Sequence, residues 1–323
     1  MSERIIDIED LSMYFTAKSS VLAPARTVKA VKGVTMHVNQ GETFGLVGES
    51  GCGKTTLGRT IVRIYKPTAG VIRYMGEDIA NKTGAALKSY HRDVQMVFQD
   101  PYASLNPRMN VGEIIREPME IHHLYASRQE QLERVAELLH IVGLKSDHIH
   151  RYPHEFSGGQ RQRIGIARTL ASNPKFIVCD EPISALDVSI QAQIINLLEK
   201  VQRETGVSYL FIAHDLSMVR HISDRIGVMY LGRLVESGEG GELYKHPMHP
   251  YSQALMSAIP VPDPIRAKKS TRIILKGELP SPIHTPKGCP FHTRCPAATQ
   301  RCREEEPQLK TVGDRQVACF LYE

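Results

Sequence analysis

The stretch "GESGCGKTT", Gly48 to Thr56, decides how the rest of the chain is read. It fits the spacing G-x-x-x-x-G-K-[ST]. It also stands between an apolar run, "TFGLVG", and a segment with helical spacing, "KTTLGRTIVRIY", expected to run as a helix to Pro67. In that setting glycines let successive backbone N–H groups wrap phosphate oxygens. Gly48, Glu49, Ser50, Gly51, Cys52, Gly53, Lys54, Thr55 and Thr56 are therefore expected to line a nucleotide. Lys54 neutralises the β- and γ-oxygens, and the Thr55 hydroxyl coordinates Mg²⁺. Cys52 contributes its backbone and no redox chemistry.

Further along, "FIVCDEP" (176–182) is an apolar strand ending in two carboxylates. Asp180 suits the Mg²⁺ hydration shell, and Glu181 suits polarising a water for in-line attack. "FSGGQRQRIGIARTL", Phe156 to Leu170, opens a helical segment with residues almost bare of side chain. Such a helix start is an anion site in waiting, or simply a helix capped by Ser157. Taken by themselves, these residues leave both readings open.

The segments around these motifs set the fold class. Residues 5–47 read as short strands, with a turn at Asn39-Gln40-Gly41 and a surface loop at "APART" (23–27). "VQMVF", "FIVCD" and "SYLFIAH" are buried-strand candidates, the last followed by a helix to about Ile222. "RIGVMYLGRLVESG" reads as a strand pair. Helical periodicity dominates 108–173, with segments near 128–142 and 160–172. Alternating strands and helices argue for an α/β core with an inserted helical block, about 100–173. From about 260 nine of the 19 prolines fall between Pro260 and Pro307, which excludes long helices and predicts turns and extended segments. The expected division is 1–259 and 260–323, with "IRAKKSTR" (265–272) as a solvated linker.

Composition narrows the function classes. The charge of +5 in 323 residues is too mild and diffuse to argue for nucleic acid. "MSERIIDIEDL" has no signal-peptide character, and no apolar run nears the roughly 20 residues that cross a bilayer. A soluble, cytoplasmic protein is expected. Cys52 and Cys179 are isolated, whereas Cys289, Cys295, Cys302 and Cys319 crowd the end of the chain. In a cytosolic setting such crowding favours metal over disulfides. Their spacing is neither the paired C-x-x-C of zinc ribbons nor the tight ferredoxin run, so it leaves zinc, iron–sulfur and free thiols comparable.

Together the motifs over residues 5–245 resemble an ABC-transporter nucleotide-binding subunit. "FSGGQ" is similar to that family's signature, with Phe156 where Leu is commoner. Gln99 in "VFQDP" resembles the Q-loop, "SALD" (184–187) the D-loop, and His214 in "IAHDL" the switch histidine. The resemblance implies a P-loop ABC ATPase core with an antiparallel β subdomain and an inserted helical subdomain. It implies catalytic roles for Glu181, His214 and Gln99, with Thr55, Gln99 and Asp180 around Mg²⁺. It also implies adenine stacking on Phe15, Tyr14 being the alternative. Two such subunits pair head to tail in this family. Ser157, Gly158, Gly159 and Gln160 would then face the γ-phosphate of ATP held by the partner, which would explain a motif with no ligand of its own.

The tail segments "HPMHPYSQALMSAIPVPDP" and "GELPSPIHTPKGCPFHTRCP", with "FQDPYASLNPR", resemble ATPases of dipeptide and oligopeptide importers, particularly the dipeptide-type second ATPase subunit. That branch implies a [4Fe–4S] cluster on Cys289, Cys295, Cys302 and Cys319, with Zn²⁺ as the alternative. The cluster's expected role is structural. The implied partners are a homologous ATPase subunit in a head-to-tail heterodimer, two membrane permease subunits and an extracytoplasmic substrate-binding protein. The implied location is peripheral, on the cytoplasmic face of the inner or plasma membrane. The same ATPase could serve glutathione, a metal chelate or haem. A soluble ABC ATPase acting on nucleic acid or ribosomes is disfavoured, because the phosphate loop and signature are not separated by long heptads and only one ATPase unit is present. A GTPase is disfavoured too, since "NKTG" (81–84) lacks the Asp that would read guanine.

Overall fold

A computed structural model describes residues 3–17, 26–184, 186–259 and 272–323. The chain begins with strands β1 (Arg4–Ala17), β2 (Arg26–Asn39) and β3 (Thr43–Val47), followed by helix α1 (Lys54–Ile61). Strands β4 (Ala69–Tyr74) and β5 (Glu77–Asp78), helix α2 (Gly84–Asp93) and strand β6 (Val94–Val97) come next. Helices α3 (Pro101–Ser104), α4 (Val111–Ile121), α5 (Arg128–Ile141) and α6 (Gly158–Leu170) then lead to β7 (Phe176–Asp180). Beyond it lie α7 (Val188–Thr205), β8 (Ser208–Ile212), α8 (Leu216–Ile222), β9 (Arg225–Tyr230) and β10 (Arg233–Glu239). The chain closes with α9 (Gly240–Lys245), α10 (Pro250–Ser257), α11 (Gln300–Glu304), β11 (Lys310–Val312) and β12 (Arg315–Val317). Among the described residues, no helix is long and apolar enough to cross a membrane.

These elements fall into two compact units. The first comprises Met1–Ile6, Val38–Thr43 and Arg73–Ala213. In it β6, β7 and β8 run parallel, with Val97 beside Cys179 and Asp180 beside Ile212. Every residue of β7 and β8 is buried, as parallel strands covered on both faces require. The helical insertion follows its sequence pattern. Val111, Ile115 and Met119 of α4, Val135, Leu138 and Leu139 of α5, and Ile164 and Ala167 of α6 are all fully enclosed. A reciprocal Asn110–Glu113 capping box starts α4.

The second unit comprises Asp7–His37, Phe44–Ile72 and His214–Glu323. Here β1 runs between β2 and β4, β3 lies parallel to β9, and β9 turns antiparallel into β10. Leu231 and Gly232, both at positive φ (44° and 81°), make the two-residue turn whose twist suits a hairpin. Helix α1 stops at Ile61, short of the expected Pro67. Arg63 takes φ 61°, Ile64 N–H donates to Arg59 O, and Arg63 N–H donates to Thr60 O. This is a Schellman stop with Arg where Gly is usual.

The tail is more ordered than its prolines suggested. Strand β12 pairs with β10, Val317 opposite Glu236 and Gln316 opposite Ser237, and β11 pairs with β12. Phe291 is fully buried, its ring centroid 5.2 Å from Tyr230, 5.4 Å from Tyr251 and 5.6 Å from His249. Residues 23–25 of the expected surface loop, Ala185 of the D-loop, the expected boundary at 260 and residues 265–271 of the linker lie outside the described residues.

His249 is the N-cap of α10. Tyr251 N–H donates to its Nδ1 at 3.0 Å, and burial pushes its pKa down to about 3. A base whose folded pKa is depressed contributes stability above its unfolded value and loses it as pH falls. His249 should therefore remove about 2 kcal/mol between pH 7.5 and pH 5. Buried Glu236, whose carboxyl is raised by burial, acts with the opposite sign in that range. Comparing His249→Asn, which keeps a cap acceptor that does not titrate, isolates the histidine. Urea unfolding of the variant should show a flatter pH dependence than the parent, and equal slopes would exclude His249 as the source.

Candidate functional site

The loop after β3 is shaped by what lies beneath it. A Cβ on Gly48 (φ 152°) would stand 2.2 Å from Met229 O, so no larger residue fits. Gly51 has open space but φ 78°, and glycine is favoured there by conformation alone. Gly232 N–H donates to Cys52 O at 2.8 Å, so the β9–β10 turn anchors the loop. Lys54 is 4% exposed; its ammonium donates to Gly48 O at 2.7 Å and Glu49 O at 3.1 Å. The loop folds round this cation. Cys52 is buried, and burial pushes its thiol up, which fits a backbone role. Phe15 is half-buried, edge-on to Tyr65 with centroids 5.2 Å apart.

In the first unit, β7 delivers Asp180 and Glu181 at its end. Asp180 is fully buried, and a carboxylate enclosed at a strand end suits a divalent cation. Glu181 has φ 45°, a left-handed backbone that an ordinary residue adopts only when its surroundings hold it. They do: its N–H donates to Ile212 O at 2.9 Å, its carbonyl accepts from Ser184 N, and Ser184 Oγ donates to the same carbonyl. Gln99, just after β6, donates its amide to Glu181 Oε2 at 2.7 Å. Its carbonyl oxygen can therefore still serve as an acceptor or metal ligand.

At the start of α6, Ser157 Oγ accepts from Gln160 N–H while Gln160 Oε1 accepts from Ser157 N–H. The two readings of this stretch are thus not exclusive. Ser157 is the cap, and the amides of Gly158 and Gly159 still head the helix. Ser157 and Gly158 are exposed, and so is His214, two residues past β8. A Cβ on Gly159 would stand 2.6 Å from Ile190 Cγ2.

The four terminal cysteines share one 160 Å³ cavity, together with Phe291 and His292. All are free thiols. Burial pushes Cys289 up to about 11, and it also raises Cys295 and Cys319. Cys289 N–H donates to Cys302 O at 2.8 Å. Among the described residues, no three His, Cys, Asp or Glu side chains are gathered so as to hold a metal ion. The expected cluster thus finds its four donors on one cavity, but not a ligand set closed on a single point.

Residues of the tail complete the surroundings of the phosphate loop. Arg294 forms a two-pronged ion pair with the Glu49 carboxylate at 2.8 and 3.0 Å, and Tyr251 Oη accepts from Glu49 N–H at 2.8 Å. No local pattern announces either contact, because the partners lie more than 200 positions apart. Only the arginine beside Cys295 in "HTRCP" could have been singled out.

Comparison with known proteins agrees with this geometry. A family described as "ABC transporter" matches residues 31–184, and one described as "Oligopeptide/dipeptide transporter, C-terminal region" matches residues 235–302. The oligopeptide transport ATP-binding protein AppF of Bacillus subtilis is 55% identical, over 99% of this chain and 98% of that protein. The chain belongs to the oligopeptide/dipeptide branch of the ABC transporter ATPases. The oligopeptide transport ATP-binding protein OppF of Escherichia coli is 52% identical over 98% of this chain and 96% of its own. The dipeptide transport ATP-binding protein DppF of Escherichia coli is 47% identical over 99% and 95%. The dimeric post-hydrolysis structure of the ATP-binding cassette MJ0796 with ADP and Pi superposes with a TM-score of 0.65. It is 28% identical, covering 72% of this chain and 98% of that one. This ABC ATPase therefore has the fold its motifs implied.

The two loop glycines should respond differently to a methyl group. Gly51→Ala meets only the conformational penalty, about 1 kcal/mol. Gly48→Ala adds a backbone collision and should exceed it by roughly 1–3 kcal/mol. Denaturant midpoints measured side by side should show that order; equal losses would mean that the contact with Met229 does not constrain the loop.

Proposed function

We propose that this ABC ATPase powers the import of dipeptides or oligopeptides through a membrane transporter. The observation that carries the ATP reading is the phosphate loop folded round Lys54, whose ammonium rests on the loop's own carbonyls. Residues 48–56 bind the nucleotide phosphates, with Phe15 against adenine. Thr55, Asp180 and the Gln99 carbonyl are the groups that would hold Mg²⁺, which when bound would offset phosphate charge. Glu181, held by Gln99, polarises the attacking water, and His214 is the histidine assigned to the γ-phosphate.

The peptide cargo is supported by the names and the extent of the relatives, AppF and OppF above all. Ser157, Gly158, Gly159 and Gln160 bind the γ-phosphate of ATP on a homologous second subunit, paired head to tail. Two membrane permeases receive the stroke through residues 99–120, and an extracytoplasmic binding protein supplies the cargo. The ATPase thus works peripherally on the cytoplasmic face.

For the tail, we read the four-cysteine cavity as the seat of a [4Fe–4S] cluster. Four free thiols on one cavity, Cys289 buried and the other three partly buried, support it. Zinc would have to draw four donors to about 2.3 Å from a single point, whereas a cluster takes one thiolate at each iron.

In the assembled complex, Glu181→Gln should retain ATP binding and lower turnover by roughly 10²-fold or more. Wild-type-like hydrolysis would remove Glu181 as the base. Lys54→Ala should weaken ATP binding itself in an equilibrium titration. Metal analysis after anaerobic, iron-replete preparation should find about four irons per chain, and stoichiometric zinc would decide against the cluster.

A further inference from the structure

Glu49 is gripped twice by the C-terminal part of its own unit. Its N–H donates to Tyr251 Oη, and its carboxylate takes both Nη atoms of Arg294. The Arg294 side chain is 9% exposed and that of Glu49 28%. The pair is therefore partly drawn out of bulk water, and a two-pronged arginine–carboxylate contact there fixes orientation as well as charge. Nothing in the G-x-x-x-x-G-K-T pattern requires residue 49 to be anchored. Yet Glu49 supplies one of the two carbonyls on which Lys54 rests.

Both grips lead directly to the four-cysteine cavity. Arg294 immediately precedes Cys295, which lines it, and its N–H donates to Phe291 O at 3.0 Å. Phe291, also on the cavity wall, packs its ring, tilted by 55°, with its centroid 5.4 Å from that of Tyr251. Packed side chains and hydrogen bonds of this kind can carry coupling between two sites when both bias the same contacts.

We propose that Arg294, supported by Tyr251, is a positioning residue for the ATPase reaction. Through Glu49 the tail sets the phosphate loop, so that ATP binding and ordering of the four-cysteine cavity are coupled. This goes beyond a merely structural role for the tail, and it rests on reading Gly48–Thr56 as the phosphate loop. Coupling is reciprocal by thermodynamic necessity. If Arg294 helps the loop hold ATP, ATP must in turn strengthen the Arg294–Glu49 contact, and through it the cavity wall to which Arg294 is joined.

The test combines equilibrium titration with Mg·ATP and amide hydrogen exchange of residues 289–302 on the full chain with steady-state hydrolysis by the assembled complex. Arg294→Met should weaken ATP binding about tenfold while kcat at saturating ATP stays within about twofold. Arg294→Lys, which keeps the charge but not the fork, should fall between. Saturating ATP should slow exchange across 289–302 in the parent protein and lose that effect in Arg294→Met. Unchanged ATP affinity in Arg294→Met, even with a lowered melting temperature, would reduce the contact to local stability and overturn the proposal. Exchange in the parent indifferent to ATP would do the same. Should Arg294→Met not fold, Arg294→Lys decides by the same two readouts. Lys54→Ala is the control: if it binds ATP normally, the phosphate-loop reading itself fails, whereas weakened Lys54→Ala beside unaffected Arg294 variants rejects only the coupling.

Discussion

A loop that offers most of its amides to a phosphate has few left to hold itself together, here Cys52 N–H to Glu49 O and Glu49 N–H to Tyr251 Oη. Its shape must come from elsewhere, and in this protein it comes from every side. Met229 O fills the space where Gly48 would carry a side chain. The turn at Gly232 bonds to Cys52 O. Lys54 draws the carbonyls of Gly48 and Glu49 inward, and Glu49 is secured by Tyr251 and Arg294. Preorganisation of this sort places donors before the ligand arrives, so that little reorganisation is left for the binding step.

The other half of the chemistry follows a different strategy. Glu181 is not shaped by glycines but held in an unfavourable backbone conformation, at a cost of order 1–3 kcal/mol. The parallel strands supply the restraint: Ile212 O accepts the Glu181 N–H, and the Ser184 contacts hold its carbonyl. A rigid strand end aims the carboxylate, and Gln99 binds one of its oxygens. Strain concentrated on Glu181, with a fully buried Asp180 just before it, fits the catalytic role proposed for this strand end.

What was legible in the sequence was whatever has a local cause. Apolar runs such as "FIVCD" and "SYLFI" announced buried strands, helical periodicity located the inserted block, and the glycine spacing gave the phosphate loop. The end of α1 carries no such signal, because its stop uses Arg63 in a conformation usually signalled by glycine. The β11–β12 hairpin escaped because proline density and cysteines dominate that region, while its short strands derive their register from β10. The pairing of Arg294 with Glu49 was invisible for a simpler reason. An ion pair between positions 245 residues apart leaves no periodicity, and its two motifs are meaningful separately. Likewise, cysteine spacing could gather Cys289, Cys295, Cys302 and Cys319 into one group, but only the fold could put them on one cavity.

The pairing of β12 with β10 also bears on how the molecule behaves in a crowd. Glu236 and Ser237 have partners in Val317 and Gln316, and the outer strand that covers β12 is only three residues long, beginning with Lys310. Short, charged outer strands discourage pairing with another chain. A polypeptide cut before this hairpin, by proteolysis or premature termination, would bare the backbone of β10, whose own apolar residues are Leu234 and Val235. The same few residues that finish the sheet thus keep one copy of the protein from templating the next.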